Sequence, residues 1–201
     1  MEVLRRMHGA ILDHMSPRST LADGNCAYRA VSLALYGTQE FHEYIRTMAA
    51  IEILTHQHVY DASSSSCAIS DTRILTSDYK TIVQHAVTEG RYVELIHLYA
   101  VSAAFNVVIQ SYLPPPAAMS ASQSPYTVVI TGRDCSVRDP AFTVMWTSAL
   151  VPGCSQQFDV NHIVLLAKRG NRPAAIDRSN DVSLVDDETF DYSNNNTALD
   201  N

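Results

Sequence analysis

The sequence predicts an α+β domain on three observations. Up to Asn106 its apolar residues recur at three- and four-residue spacing, the signature of helices that bury one face. Beyond that point come four short runs rich in β-branched and aromatic residues, Val107–Tyr112, Tyr126–Thr131, Phe142–Trp146 and Val160–Ala167, separated by Pro, Gly, Ser and Asp clusters. The length, 201 residues at 46% hydrophobic composition, supplies one sizeable core and not two. Helices followed by strands, rather than alternating with them, imply a small mixed or antiparallel sheet of about four to five strands flanked by helices.

In order along the chain, Val3, Leu4, Met7, Ile11, Leu12 and Met15 mark an amphipathic helix over 3–15 that Pro17 cannot continue. Residues 1–17 are therefore expected to pack on the domain as an N-terminal helix. A second helix starts at Cys26, with Asn25 as N-cap, Ala30, Val31, Ala34 and Leu35 as the buried stripe, and Gly37 as the stop. A third opens at Thr38 and keeps the helical period through Phe41, Tyr44, Ile45, Met48, Ala49 and Glu52 to Ile53, ending at about Leu54. Asp61–Ser66 reads as a surface connection. Ser77 and Asp78 cap a short helix with Ile82, Val83 and Ala86 on one face, ended by Gly90; another carries Tyr92, Leu95, Ile96, Tyr99, Ala100 and Ala103 and closes at Asn106. The strands follow, interrupted at Pro114–Pro116 and Ser120–Pro125 by a segment that has too few donors for regular structure. From Gly170 the periodicity stops, and 170–201 holds two basic against seven acidic residues, a composition expected to give a flexible acidic tail. The expected division is 1–17, a catalytic-sized unit over 18–169, and 170–201.

Composition narrows the function. The net charge of −7 and the absence of a Lys/Arg cluster argue against nucleic acid as a partner. No apolar run reaches the roughly eighteen residues of a membrane span, and Glu2, Arg5, Arg6 and His8 break any signal-peptide core, so a cytoplasmic or nuclear protein with no membrane partner is expected. The four cysteines, Cys26, Cys67, Cys135 and Cys154, are far apart, and no disulfide is assigned. A zinc centre from Cys135, Cys154 and His162 lacks the close ligand pairs such sites use, so no metal and no cofactor are expected.

The stretch Leu21–Tyr36 carries the chemistry. It places the short loop Asp23-Gly24-Asn25 directly before a helix whose first turn contains Cys26, where unpaired backbone N–H groups and the positive end of the helix dipole bias a thiol toward thiolate and offer donors to an oxyanion. A nucleophilic cysteine needs a histidine to take its proton. Of the eight histidines, His8, His14, His42, His56, His58, His85 and His97 fall in helical patterns or at helix ends, where a solvated or half-buried side chain is the ordinary outcome. His162 instead opens the last apolar strand, where a rigid element would hold its imidazole at the mouth of a sheet.

Asp23-Gly-Asn-Cys-Ala-Tyr-Arg-Ala-Val-Ser32 resembles the cysteine-box signature of the ovarian-tumour (OTU) family of deubiquitinating cysteine proteases. Asn161-His162-Ile163 before an apolar strand resembles the family's terminal histidine box, with Ile163 in place of the usual aromatic. Glu89–Ala100 with Asn106–Ile109 resembles its Gly-x-Trp-Gly, Glu-Leu and strand region, with Tyr92 where a Trp is usual. The resemblance covers about residues 18–168 and implies a papain-like OTU fold and hydrolysis after the C-terminal glycine of ubiquitin, polyubiquitin or a ubiquitin-like protein by a monomer. Cys26 would be the nucleophile and His162 the base, with an oxyanion hole from backbone N–H groups of Asp23, Gly24, Asn25 and Cys26, and Arg91 and Tyr92 bordering the substrate channel. Many members place an Asp or Asn two residues after the histidine; here Val164 stands there, and the third member is put first at Asp23, with Asn161 and Asp159 as alternatives. Two further readings remain open: an OTU-like module of weak or lost activity that binds ubiquitin as a scaffold, and a polyprotein-processing protease of viral or transposon origin.

Overall fold

A computed structural model describes residues 14–64, 77–113, 127–136, 139–147 and 162–169. Its strands are β1 (Met15–Arg18), β2 (Val108–Tyr112), β3 (Val128–Ile130), β4 (Pro140–Thr147) and β5 (His162–Lys168), and its helices α1 (Cys26–Tyr36), α2 (His42–Thr55), α3 (Gln57–Tyr60), α4 (Tyr79–Val87) and α5 (Leu95–Phe105). The sheet runs β1-β5-β4-β2-β3; β2 and β4 are parallel and every other pair is antiparallel. This is the expected α+β architecture, with a mixed sheet.

Alternation along the strands separates two clusters. Val144, Trp146, Ile163 and Leu165 join Ile109 and Ile130 in the main core beneath α1, α2, α4 and α5, whereas Met145, Val164 and Leu166 pack with Tyr112 and Met15 on the opposite face. A one-residue slip of β5 would exchange its two faces, so the register that places His162 at the strand's start is held by both clusters. Helix α1 lies on β5, and α2 packs between α1, α4 and α5.

The structure corrects expectations about several elements. Met15, assigned to the N-terminal helix, instead begins β1, which pairs with β5 from Met15↔Lys168 to Arg18↔Leu165, and the Arg169 N–H donates to the His14 carbonyl at 2.8 Å. The proposed boundary at residue 17 therefore cuts through a strand; the rest of that segment, residues 1–13, lies outside the described residues, as does 170–201. The sheet has five strands, within the four to five expected, and the fifth is β1 rather than one of the apolar runs.

Helix α2 starts at His42 rather than Thr38, and its buried face is Ile45, Arg46, Ala49, Glu52 and Ile53, with Tyr44 turned half to solvent. Two charged residues on a core face defeat an apolar-stripe reading. They are tolerated because each is fully engaged: Glu52 accepts from Tyr60 Oη at 3.1 Å and from Arg133 Nε at 3.3 Å, and Arg46 is taken up by the loops described below. The last helix begins at Leu95, not Tyr92, because Glu94 and His97 form a reciprocal cap in which the Glu94 N–H donates to His97 Nδ1 at 3.1 Å. Residues 91–94 are left outside the helix. Gly37 ends α1 at φ 74°, Asp78 caps α4 by accepting from the Thr81 N–H at 2.8 Å, and Asn106 closes α5 at φ 50°, all as read, but α4 stops at Val87 with Thr88 as its C-cap rather than at Gly90, and Ser77 donates to Glu94 Oε1 at 2.7 Å instead of capping.

Candidate active site

Two glycines fix the cysteine loop. Gly24 adopts φ 79°, and a Cβ built there would stand 1.8 Å from the carbonyl oxygen of Gly90, which itself has φ 71°. The loop before α1 and the turn after α4 thus touch backbone to backbone. Arg46 fastens them. Its guanidinium donates to the carbonyls of Gly24 (3.2 Å), His85 (2.8 Å), Ala86 (3.3 Å), Thr88 (2.8 Å) and Arg91 (2.9 Å) and to Asn25 Oδ1 at 2.8 Å, and it lies 4.5 Å from the centre of the Tyr28 ring. Burial pushes the Arg46 pKa down, opposed by the fields of Tyr28, Glu89 and Asp23.

Asn25 holds the N-cap position but its side chain does not cap α1. Its Oδ1 accepts from Arg46 and from the Gly90 N–H at 3.3 Å, while Nδ2 donates to Asp23 Oδ2 at 3.3 Å. The expected cap is absent for a physical reason, since the amide is committed to the loop clamp. Its own N–H is also spent, donating to Asp23 Oδ1 at 3.0 Å, which removes Asn25 from the expected oxyanion donors.

Cys26 is 3% exposed and its thiol lies against backbone N–H groups of Ile163, Ala27 and Cys26 itself. The expected bias toward thiolate is not what the resting structure gives. Burial pushes the thiol's pKa up and the nearby Asp23 charge adds to it, outweighing those amide donors. The contact with Ile163 places the nucleophile candidate beside the first residues of β5, next to His162.

His162 is buried, and a residue absent from the sequence reading holds it. Thr20 Oγ1 stands 2.5 Å from the Ile163 carbonyl and 3.2 Å from His162 Nε2. The hydroxyl donates to the carbonyl and therefore accepts from Nε2–H, which fixes the tautomer and leaves Nδ1 as the basic nitrogen. Nδ1 is buried and has no hydrogen-bond partner among the described residues. Burial lowers the imidazole's pKa, against the opposing pull of Asp23 and the Thr20 contact.

Asp23, put first for the third member, does not bond to His162. Its Oδ2 accepts from Arg29 Nη2 at 2.6 Å and Nε at 2.9 Å and its Oδ1 from the Asn25 N–H. Burial alone would raise this carboxyl, but the Arg29 and Asn25 donors hold it well below the usual carboxylate range. It acts on the imidazole through its field. Asn161 and Asp159 lie outside the described residues. Val164 sits in the apolar cluster with Met145 and Leu166. Arg91 and Tyr92 are exposed in the extended stretch before α5, and the Arg91 carbonyl is tied to the cysteine loop through Arg46.

Thr20 and Arg46 are the two residues the sequence did not yield. A threonine six positions before the cysteine has no pattern to single it out. Arg46 carried a faint signal, a cation between Ile45 and Ala49 on the face that helical spacing assigns to the core.

A family model for the Vertnin OTU domain matches residues 17–80. No curated protein matches the chain by sequence. Among solved structures, the viral OTU domain protease from Taggert virus is similar with a TM-score of 0.52 at 14% identity, over 81% of this chain and 84% of that one. The viral OTU domain protease from Dera Ghazi Khan virus gives 0.50 at 14% identity, over 79% and 83%. At that identity the likeness shows the fold, and the family match covers the loop and helix that carry Cys26. The chain therefore has the OTU fold, and its residues 17–80 match a family model of that domain.

Proposed function

We propose that the domain is a deubiquitinating cysteine protease that hydrolyses the isopeptide or peptide bond after the C-terminal glycine of ubiquitin or a ubiquitin-like protein. The observation that supports this best is a buried imidazole at the head of β5 whose Nε2 is engaged by Thr20 and whose Nδ1 has no hydrogen-bond partner among the described residues, on the strand whose Ile163 N–H meets the thiol of a cysteine at a helix N-terminus. Cys26 gives its proton to Nδ1 as sulfur attacks the scissile carbonyl. The first-turn N–H groups of α1, which no side chain caps, receive the oxyanion together with the Asp23–Gly24 loop. The imidazolium then protonates the leaving amine, and Nδ1 activates the water that releases the thioester. Thr20 is the positioning residue, and Asp23 steadies the imidazolium by its field. Arg91 and Tyr92 border the channel, the unit that carries the site includes the whole of β1, and no cofactor takes part.

Both groups of the dyad are held neutral at rest, and no carboxylate bonds to the imidazole among the described residues. That favours a second reading, a ubiquitin-binding module of low turnover. A ubiquitin probe carrying a C-terminal electrophile separates the two. The protease reading expects stoichiometric labelling that Cys26→Ala abolishes and His162→Ala slows by at least about a hundredfold. Ubiquitin binding without labelling supports the module, and labelling that maps to Cys67, Cys135 or Cys154 overturns the assignment of Cys26.

A further inference from the structure

Away from the thiol, His42 at the start of α2 is 8% exposed and carries one spent and one orphaned nitrogen. Nδ1 donates to the Gln39 carbonyl at 3.0 Å, whereas Nε2 is buried without a hydrogen-bond partner among the described residues. Arg29 Nη1 also lies 3.2 Å from Nδ1, but a protonated Nδ1 has no lone pair for it, and Arg29 is already paired with Asp23. Buried polar nitrogens ordinarily find a partner, so an unpaired imidazole lone pair calls for an explanation. It has carboxylates beside it. One ring nitrogen of His42 and one carboxylate oxygen from each of Glu43 and Glu89 all lie within 4.8 Å of one another. With Nδ1 committed to Gln39, the ring nitrogen open to a ligand is Nε2.

We propose that His42, Glu43 and Glu89 form a site for a divalent transition-metal cation. A neutral imidazole with two carboxylates is a donor set that zinc accepts at about 2.0–2.2 Å, with a remaining position for water. The imidazole is fixed by burial and by its bond to Gln39, and both glutamates are exposed, so their side chains are free to rotate inward. The Gln39 carbonyl is the outer partner that sets the histidine's tautomer, as at established metal sites. The positive end of α2 opposes a cation there, and two carboxylate charges outweigh it.

The position gives the site a consequence. Glu89 precedes Gly90, whose carbonyl meets Gly24 and whose N–H bonds to Asn25. A cation would fasten that turn to α2 and hold the cysteine loop from behind, independently of whether the domain turns over substrate.

The test is calorimetric titration of the full chain with Zn2+ in a Cys26→Ala background, which removes the reactive thiol as a competing ligand, with melting temperatures measured with and without metal. Saturable binding with a metal-dependent rise in Tm is expected. Glu89→Gln and His42→Gln should each weaken it by at least about tenfold, and Glu40→Gln, an exposed carboxylate outside the cluster, should leave it unchanged. If His42→Gln does not fold, Glu89→Gln alone decides, because that side chain is exposed. Absence of saturable binding, or affinity unaltered by Glu89→Gln, overturns the proposal.

Discussion

At the scale of single residues, Thr20 is the hinge of the candidate chemistry. Its hydroxyl does for His162 what an Asp or Asn on the strand would do, though without charge, because the Ile163 carbonyl takes its proton and leaves only a lone pair for Nε2–H. Thr20→Val, which keeps the shape, should lower kcat/KM on a ubiquitin substrate by at least about tenfold with a smaller loss of Tm than Asp23→Asn gives, since it releases the imidazole tautomer and one buried hydrogen bond to the Ile163 carbonyl. Asp23→Asn should lower both activity and Tm, because it breaks the fork to Arg29 and frees the Asn25 amide. Equal Tm losses in the two variants would contradict this division of roles.

The residue scale also sets a pH dependence. His162 and His97 both have pKa values lowered by burial, so the unfolded chain binds protons that the folded chain refuses. Stability is then full above the ordinary histidine range and falls as pH drops below about 6.5, where the unfolded state takes up those protons. Thermal melts between pH 5 and pH 8 should show Tm falling on the acid side, and His97→Gln should flatten the slope. His97 is wholly buried, with Nε2 donating to the Ile82 carbonyl at 2.9 Å, so this variant will also lower Tm at every pH. A Tm that rises toward pH 5 would show the sign to be wrong.

At the scale of elements, what the sequence made legible follows from what local chemistry decides. Gly37, Asp78 and Asn106 punctuate their helices by backbone rules that need no tertiary information, and the runs of β-branched residues became strands. β1 was hidden because Met15-Ser-Pro-Arg18 has no strand pattern of its own; it exists by pairing with β5. Arg46 was missed on the α2 face because the carbonyls that bury it lie far off in sequence, which no periodicity can announce. In the candidate site, the places of Cys26 at a helix start and of His162 at a strand start were legible because both are local signals, whereas the contact of Thr20 with the imidazole spans 142 positions.

The element scale also tests the place beside the histidine. Val164 shares its face of β5 with Leu166 and packs with Met145 and Tyr112. Val164→Asp would put a carboxylate into that apolar cluster, and should destabilise the domain by at least about 2 kcal/mol without raising activity. Denaturant unfolding of the variant measures the first, and a ubiquitin substrate the second. A gain in kcat/KM would reveal a wet niche under the imidazole.

At the scale of the whole molecule, the edge strand links the start of the described chain to the site. β1 pairs with the half of β5 remote from His162, and Thr20, two residues beyond β1, reaches the strand's other end at Ile163. Removing residues 1–18 should therefore lower Tm and kcat/KM together, since it strips one edge of β5 and leaves Thr20 without its lead-in. A truncated chain with unchanged activity would show that β5 keeps its register from β4 alone. Among the described residues, no helix is long and apolar enough to cross a membrane.

The Arg46 clamp has a consequence for how such a sequence can drift. Five of its acceptors are backbone carbonyls, of Gly24, His85, Ala86, Thr88 and Arg91, and every amino acid supplies the same oxygen. The side chains of residues 85, 88 and 91 are thereby uncoupled from the clamp on the loop beside the thiol, while Arg46 and the amide of Asn25 bear the side-chain constraint. The rim of the site is free to be rewritten for a different ligand, provided that one buried guanidinium, the Asn25 amide it holds and the two abutting glycines stay as they are.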